Sequence, residues 1–201
     1  KKINHKHQIG INIYNVDFCD TDAIVQTIKD IINKHALVNV VINNAGIIIP
    51  GKLGEIKKED WDKVIAVNLT APFVIVNELV PHMLKQEHPI IINISSLSGK
   101  VGSPFCSSYV ASKFGLRGLT AAINEEFRIN GNIRCITVFP GTIETETVKN
   151  LNYPGISPKI GIDPVLQPDD VADAIVNVLK MSDVTNIEDL SISPKKSSTY
   201  H

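Results

Sequence analysis

The 201 residues carry 20 basic and 21 acidic side chains, a formal net charge of −1, with 43% hydrophobic residues. This balance speaks against a nucleic-acid stripe or a polybasic membrane segment, and the length fits one domain with a packed core. Three cysteines (Cys19, Cys106, Cys135) and six scattered histidines show neither disulfide nor metal-ligand spacing, so a reducing, cytoplasmic compartment and no metal are expected.

Short apolar runs alternate with longer amphipathic stretches from Ile9 onward, the pattern of repeated strand–helix–strand units and a parallel sheet. A first strand is expected at Ile9–Val16, then a helix at Asp22–Lys34 with Asp20 or Thr21 as its cap. Val38–Asn43 reads as a buried strand and Lys58–Lys85 as one long helix. Ile90–Ile94 follows as a strand, then a helix over Ser107–Asn130 and a strand over Ile133–Phe139. Pro168, Asp169 and Asp170 suit the start of a last helix, Asp169–Met181, before a strand at Asn186–Ile192. The strands are apolar throughout, which implies helices on both faces, and none of these runs reaches the ~20 residues needed to cross a bilayer. Between them, residues 146–167 collect prolines, glycines and asparagines and read as a lid or binding loop within a single domain over 1–201, ending in a polar tail from Lys195.

Candidate chemistry concentrates in Asn93-Ile-Ser-Ser-Leu-Ser-Gly99 and Tyr109-Val-Ala-Ser-Lys113. Residues four apart share a helix face, so the Lys113 ammonium can stand beside the Tyr109 phenol and favour its ionised form. A free phenol ionises near pKa ~10, so a neighbouring cation makes it a better proton carrier at neutral pH. Ser96, at a strand end, could hold a substrate oxygen. Tyr and Lys at this spacing also occur by accident on solvated helix faces. What raises the pair above accident is its company: Asn43-Asn-Ala-Gly46 after an apolar run, Asn68 in Val67-Asn-Leu69, and Pro140-Gly-Thr-Ile-Glu-Thr145 after another.

Together these segments, in this order, resemble the short-chain dehydrogenase/reductase family, from about Asp17 to the strand near Ser191. The resemblance implies an α/β fold, a Rossmann-like doubly wound parallel sheet in three α/β/α layers. It implies an NAD(P)-dependent oxidoreductase that interconverts a secondary alcohol and a ketone, with NADP slightly favoured over NAD. Tyr109 would be the general acid/base, Lys113 would lower its pKa and hold the nicotinamide ribose, Ser96 would orient the carbonyl with Ser98 nearby, and Asn68 would support a proton relay. Asp17 and Phe18 would border the adenine, Asn43, Ala45 and Gly46 its ribose, and Pro140, Gly141, Ile143 and Thr145 the nicotinamide carboxamide. The partners implied are a small carbonyl or alcohol substrate and further copies of the chain, as a homodimer or homotetramer through the long helices.

Two departures from the family pattern matter. The glycine-rich turn expected between a first strand and helix does not occur, so two strands, that turn and roughly 50 residues are expected to precede Lys1. Without those two strands between them, an Ile9–Val16 strand would stand alone ~14 Å from the Val38–Asn43 strand, with its backbone groups unpaired. The segment Thr185–Pro194 lacks the Asp-Gly-Gly ending of typical acyl-carrier-protein ketoreductases and looks more like the branch that includes 3-hydroxy-acid dehydrogenases. A catalytically silent nucleotide-binding module of the same fold is the rival reading, opposed by the complete set Asn68, Ser96, Tyr109 and Lys113. A sugar-nucleotide epimerase would need a larger C-terminal substrate region.

Overall fold

The computed structural model describes residues 10–35, 37–151, 165–182 and 185–195. Helix α1 (Thr21–His35) starts where the Asp20 carboxylate accepts the Ala23 amide at 3.0 Å, and it buries Ile24 and Ile28, one helical turn apart. Strand β1 (Val40–Asn43) leads to α2 (Lys58–Ile65), a π-helical turn (Ala66–Thr70) and α3 (Ala71–Met83). Strand β2 (Ile90–Ile94) is buried along its whole length, as a strand covered on both faces must be. A short 3-10 turn (Leu97–Gly99) connects it to α4 (Ser107–Asn130) and β3 (Arg134–Pro140). The chain closes with α5 (Glu146–Lys149), α6 (Pro168–Leu179) and β4 (Asp189–Ile192). Pro168 occupies the first turn of α6, and the Asp170 carboxylate accepts the Gln167 amide at 2.7 Å, a reciprocal cap at the expected place.

The four strands pair in parallel in the order β1-β2-β3-β4, with Val40 opposite Ile90, Ile90 opposite Arg134 and Thr137 opposite Asp189. Sequential parallel strands need crossovers, and α2–α3, α4 and α6 provide them. One core lies between the sheet and α1, α3 and α4, built from Ile24, Ile28, Val41, Leu79, Met83, Ile91 and Ile123. The other lies on the opposite face under α6, built from Ile90, Ile92, Ile94, Ile136, Val138, Val171 and Val178. The three-layer α/β architecture is therefore as the sequence predicts.

Three expectations need correction. Gly10–Val16 is irregular rather than a strand. Among the described residues no strand lies on the free side of β1, and a ladder without a partner leaves its amides unpaired, so the segment takes other contacts. Tyr14 Oη lies 3.2 Å from His35 Nε2, Lys34 Nζ donates to Asn12 Oδ1 at 2.9 Å, and Val16 packs into the first core. The long helix is not uniform, because the π turn divides it at Asn68. By length and composition Lys58–Met83 would serve as a membrane span, but here it buries Val64, Val67, Ala71, Val76, Leu79 and Met83 in the fold. The last strand starts at Asp189, three residues later than expected. Of the expected lid, residues 152–164 lie outside the described residues; what precedes and follows is joined at its base, where Leu166 donates to Thr142 O and accepts from Glu144 N, both at 2.8 Å. The tail beyond Lys195 also lies outside the described residues.

Candidate active site

The end of β2, the π turn and the first half of α4 bring Gly46, Asn68, Tyr109 and Lys113 together, with Ser96 next to a residue bonded to the same helix. Lys113, in the second turn of α4, is 4% exposed and donates to the Ile94 carbonyl at 2.8 Å, which ties the helix to the end of β2. Its ammonium lies 5.6 Å from the centre of the Tyr109 ring, the placement their four-residue spacing predicts. Burial pushes the Lys113 ammonium down from 10.5 to about 8. At Gly46 any side chain would begin 3.3 Å from Lys113 Nζ and 3.5 Å from Asn68 Oδ1, so the glycine leaves the amine open on that side.

Asn68 is fully buried in the π turn. Its Oδ1 accepts the Ile47 amide at 2.8 Å, and its Nδ2 donates to Ile47 O at 2.9 Å and to Ser112 Oγ at 3.0 Å. Ser112 in turn donates to the Tyr109 carbonyl at 2.7 Å. The Asn68 amide thus has both of its hydrogens committed to the protein, so its side chain cannot also donate to a relay water. Any relay would use its backbone, which a π turn displaces from the regular helical ladder.

Ser96 has extended backbone, and its hydroxyl accepts the Ser98 amide at 3.2 Å. Ser98 is buried with its Oγ 3.5 Å from that of Ser103. Ser95 Oγ donates to the Lys113 carbonyl at 3.1 Å, so the residue preceding Ser96 is bonded to the helix that carries Tyr109. Gly99 makes this approach possible. A β-carbon there would collide with Ser95 Oγ and come within 2.9 Å of Lys113 O, closer than atoms can pack.

The remaining candidates are more dispersed. Asn43 Nδ2 donates to Asn93 Oδ1 at 2.7 Å inside the sheet, whereas Ala45 is exposed. Pro140 is buried at the end of β3, and the Gly141 amide donates to Ile192 O at 2.8 Å. Ile143 forms the bridge with Leu166, and Thr145 caps α5 by accepting the Val148 amide at 3.4 Å. Asp17 accepts the Cys19 amide at 2.9 Å and Phe18 packs into the first core, both in the turn before α1. The sequence alone does not single out the hydroxyls of Ser95 and Ser112. The signal lay in their positions, one residue before Ser96 and one before Lys113.

A nicotinamide ribose fits this arrangement. A buried ammonium has three donors, one hydrogen bond is to Ile94 O, and Gly46 leaves space beside it. The family profile of short chain dehydrogenases matches residues 1–154. The chain belongs to the short-chain dehydrogenase family. Within it, the chain is 38% identical over 141 residues to the 3-oxoacyl-acyl-carrier-protein reductase FabG of Thermotoga maritima, a match over 70% of this chain and 57% of that protein. The chain therefore spans little more than half the length of this relative. Among solved structures, a metagenomic short-chain oxidoreductase in complex with NADP superposes with a TM-score of 0.74 at 30% identity, covering 92% of this chain and 74% of the other. A 4-hydroxyisoleucine dehydrogenase complexed with NADH does so with a TM-score of 0.78 at 26% identity, covering 91% and 79%. This short-chain dehydrogenase chain accordingly has relatives that bind either nicotinamide cofactor.

Proposed function

We propose that the protein is an NAD(P)-dependent oxidoreductase that interconverts a secondary alcohol and a ketone, with Tyr109 as the proton donor and acceptor. The observation that carries this reading is the buried Lys113 ammonium, fixed by Ile94 O and facing the Tyr109 ring at 5.6 Å. Residues around this helix face would act in sequence. Ser96 would hold the substrate oxygen, Tyr109 would give it a proton in the reductive direction, and Lys113 would support the charge left on the phenol oxygen. When bound, the nicotinamide would supply or remove the hydride. Lys113 would hold its ribose, Gly46 and Asn43 with Ala45 would lie beside the cofactor, and Pro140 to Thr145 would face the carboxamide. Asp17 and Phe18 would take the adenine end, and the Asn68 backbone would complete the proton relay.

The substrate we propose is a 3-oxoacyl or 3-hydroxy-acid type compound, supported by the FabG relative, and the cofactor we propose is NADP slightly ahead of NAD, the former being bound by the metagenomic oxidoreductase that superposes on this chain. Assembly as a homodimer or homotetramer would cover Phe73 and Phe114, which are exposed on α3 and α4, and light scattering would give that mass directly. The test of activity is the loss of reduced-nicotinamide absorbance, with NADPH and with NADH, over a panel of ketones, 3-oxo acids and 3-oxoacyl thioesters. Turnover that Tyr109→Phe abolishes supports the reading and identifies the cofactor. Tight cofactor binding without turnover would replace it with a silent binding module.

A further inference from the structure

We propose that Asp189, on the edge strand β4, is a positioning residue that holds the Ser96 turn and helix α4 in a single arrangement. Asp189 Oδ2 accepts from Arg117 Nη2 at 3.0 Å and lies 3.6 Å from Lys100 Nζ. Lys100 also donates to Ser191 Oγ at 2.9 Å, two residues along the same strand and on the same face. The two cations converge on one ring. Lys100 Nζ lies 4.2 Å and Arg117 Cζ 5.7 Å from the centre of Phe139, which is fully buried beneath them.

The two cations come from the two segments that matter for the chemistry. Lys100 is the first residue after the Leu97–Gly99 turn, so its position follows that of Ser96. Arg117 is one helical turn beyond Lys113 and two beyond Tyr109, on the same side of α4. Asp189 is the carboxylate that both cations share. Without it, two like charges would meet over one aromatic ring and repel, and the turn and the helix could part. The side chains here are partly exposed, at 30–46%, so the expected effect on overall stability is small. A small displacement of the turn, however, moves Ser96 relative to Tyr109, and rates respond steeply to such misplacement.

The kinetic part of this inference rests on the oxidoreductase reading; the structural part does not. The experiment is therefore run with two readouts on the whole protein, comparing wild type with Asp189→Asn and Asp189→Glu. The first is amide hydrogen exchange at Gly99, Lys100 and Val101, whose amides bond back to Ser96 and Leu97 at 2.8–3.1 Å. Exchange there should accelerate about fivefold in Asp189→Asn, while Ile91–Ile94 stays protected. The second is steady-state turnover, in which kcat should fall about fivefold to tenfold in Asp189→Asn with the KM for cofactor unchanged, and Asp189→Glu should recover most of it. Arg117→Gln should lower kcat in the same direction and combine with Asp189→Asn less than additively. Faster exchange with unchanged kcat would overturn the proposal by leaving Asp189 a merely structural contact, as would no change in either readout. If wild type shows no turnover with any substrate, the oxidoreductase reading fails, and faster exchange in Asp189→Asn still supports the link between strand and turn.

Discussion

Toward α6 the central strands present Ile90, Ile92, Ile94, Ile136 and Val138, whereas toward α4 the same strands present Ile91, Asn93, Cys135 and Thr137. The first face is continuous hydrocarbon. The second is threaded by hydrogen bonds: Asn93 Nδ2 donates to Thr120 Oγ1 at 2.9 Å, and Asn124 both donates to Cys135 O at 2.7 Å and accepts from Cys135 N at 2.9 Å. Burial pushes the Cys135 thiol up to about 12, so it remains a neutral thiol in this network. Apolar contact is non-directional and lets a helix slide or turn by small amounts, while paired buried polar groups admit one register. The helix that must not slide is α4, which carries Tyr109 and Lys113; beside α1 and α3 on that face, it is bonded to the strands through Thr120 and Asn124 as well as packed on them.

The comparison can be broken at either face. The largest effect is expected at the site itself: Tyr109→Phe should lower kcat by about a thousandfold with little change in melting temperature, measured by steady-state kinetics beside calorimetry. On the aliphatic face, Ile92→Ala should reduce unfolding free energy by about 3–4 kcal/mol in a urea titration while kcat under native conditions holds near wild type. A large kcat loss there would mean that α6 positions the site after all. Lys113 offers a pH test. Its folded value of about 8 lies below the ordinary 10.5, so between those values the unfolded chain holds the extra proton, and stability rises with pH across that window. Below pH 8 both states are protonated and the burial penalty, roughly 3 kcal/mol, is complete. Lys113→Met should remove this slope in denaturation series run from about pH 7 to about pH 10.5. Smallest is Thr120→Val on the polar face, about 1–2 kcal/mol in the same titration, because it leaves the buried Asn93 amide with only the weak Cys135 Sγ acceptor at 3.6 Å.

The sequence made the architecture legible wherever an apolar run had a partner. β2 and α4 fall at the predicted residues because each is specified by its own pattern and buried by its neighbours. Gly10–Val16 carries a strand-like pattern yet is irregular, since a pattern of alternating residues does not supply the second strand that a ladder needs. The Tyr109 and Lys113 pairing could be read from spacing alone, being local to one helix. The bonds from Ser95 to Lys113 O, from Asn68 to Ser112 and from Asn43 to Asn93 could not, because they join residues 18, 44 and 50 positions apart. A single polar residue in an apolar strand, such as Asn93, announces only that some partner must exist. Among the described residues the buried Thr137 Oγ1 finds no hydrogen-bond partner.

The π turn at Ala66–Thr70 amounts to one residue more than a regular helix would hold. Each residue of an α-helix advances the phase by about 100°, and the wide turn takes up that extra residue, so deleting a single position between 66 and 70 would let it close to a regular helix with α3 held near its present phase. Leu79 and Met83 would keep the core side of α3, whereas Asn68 would lose the bulge that faces it toward Ile47 and Ser112. A one-codon deletion in this turn would therefore strike the buried asparagine and its bonds rather than the packing of the helix that follows.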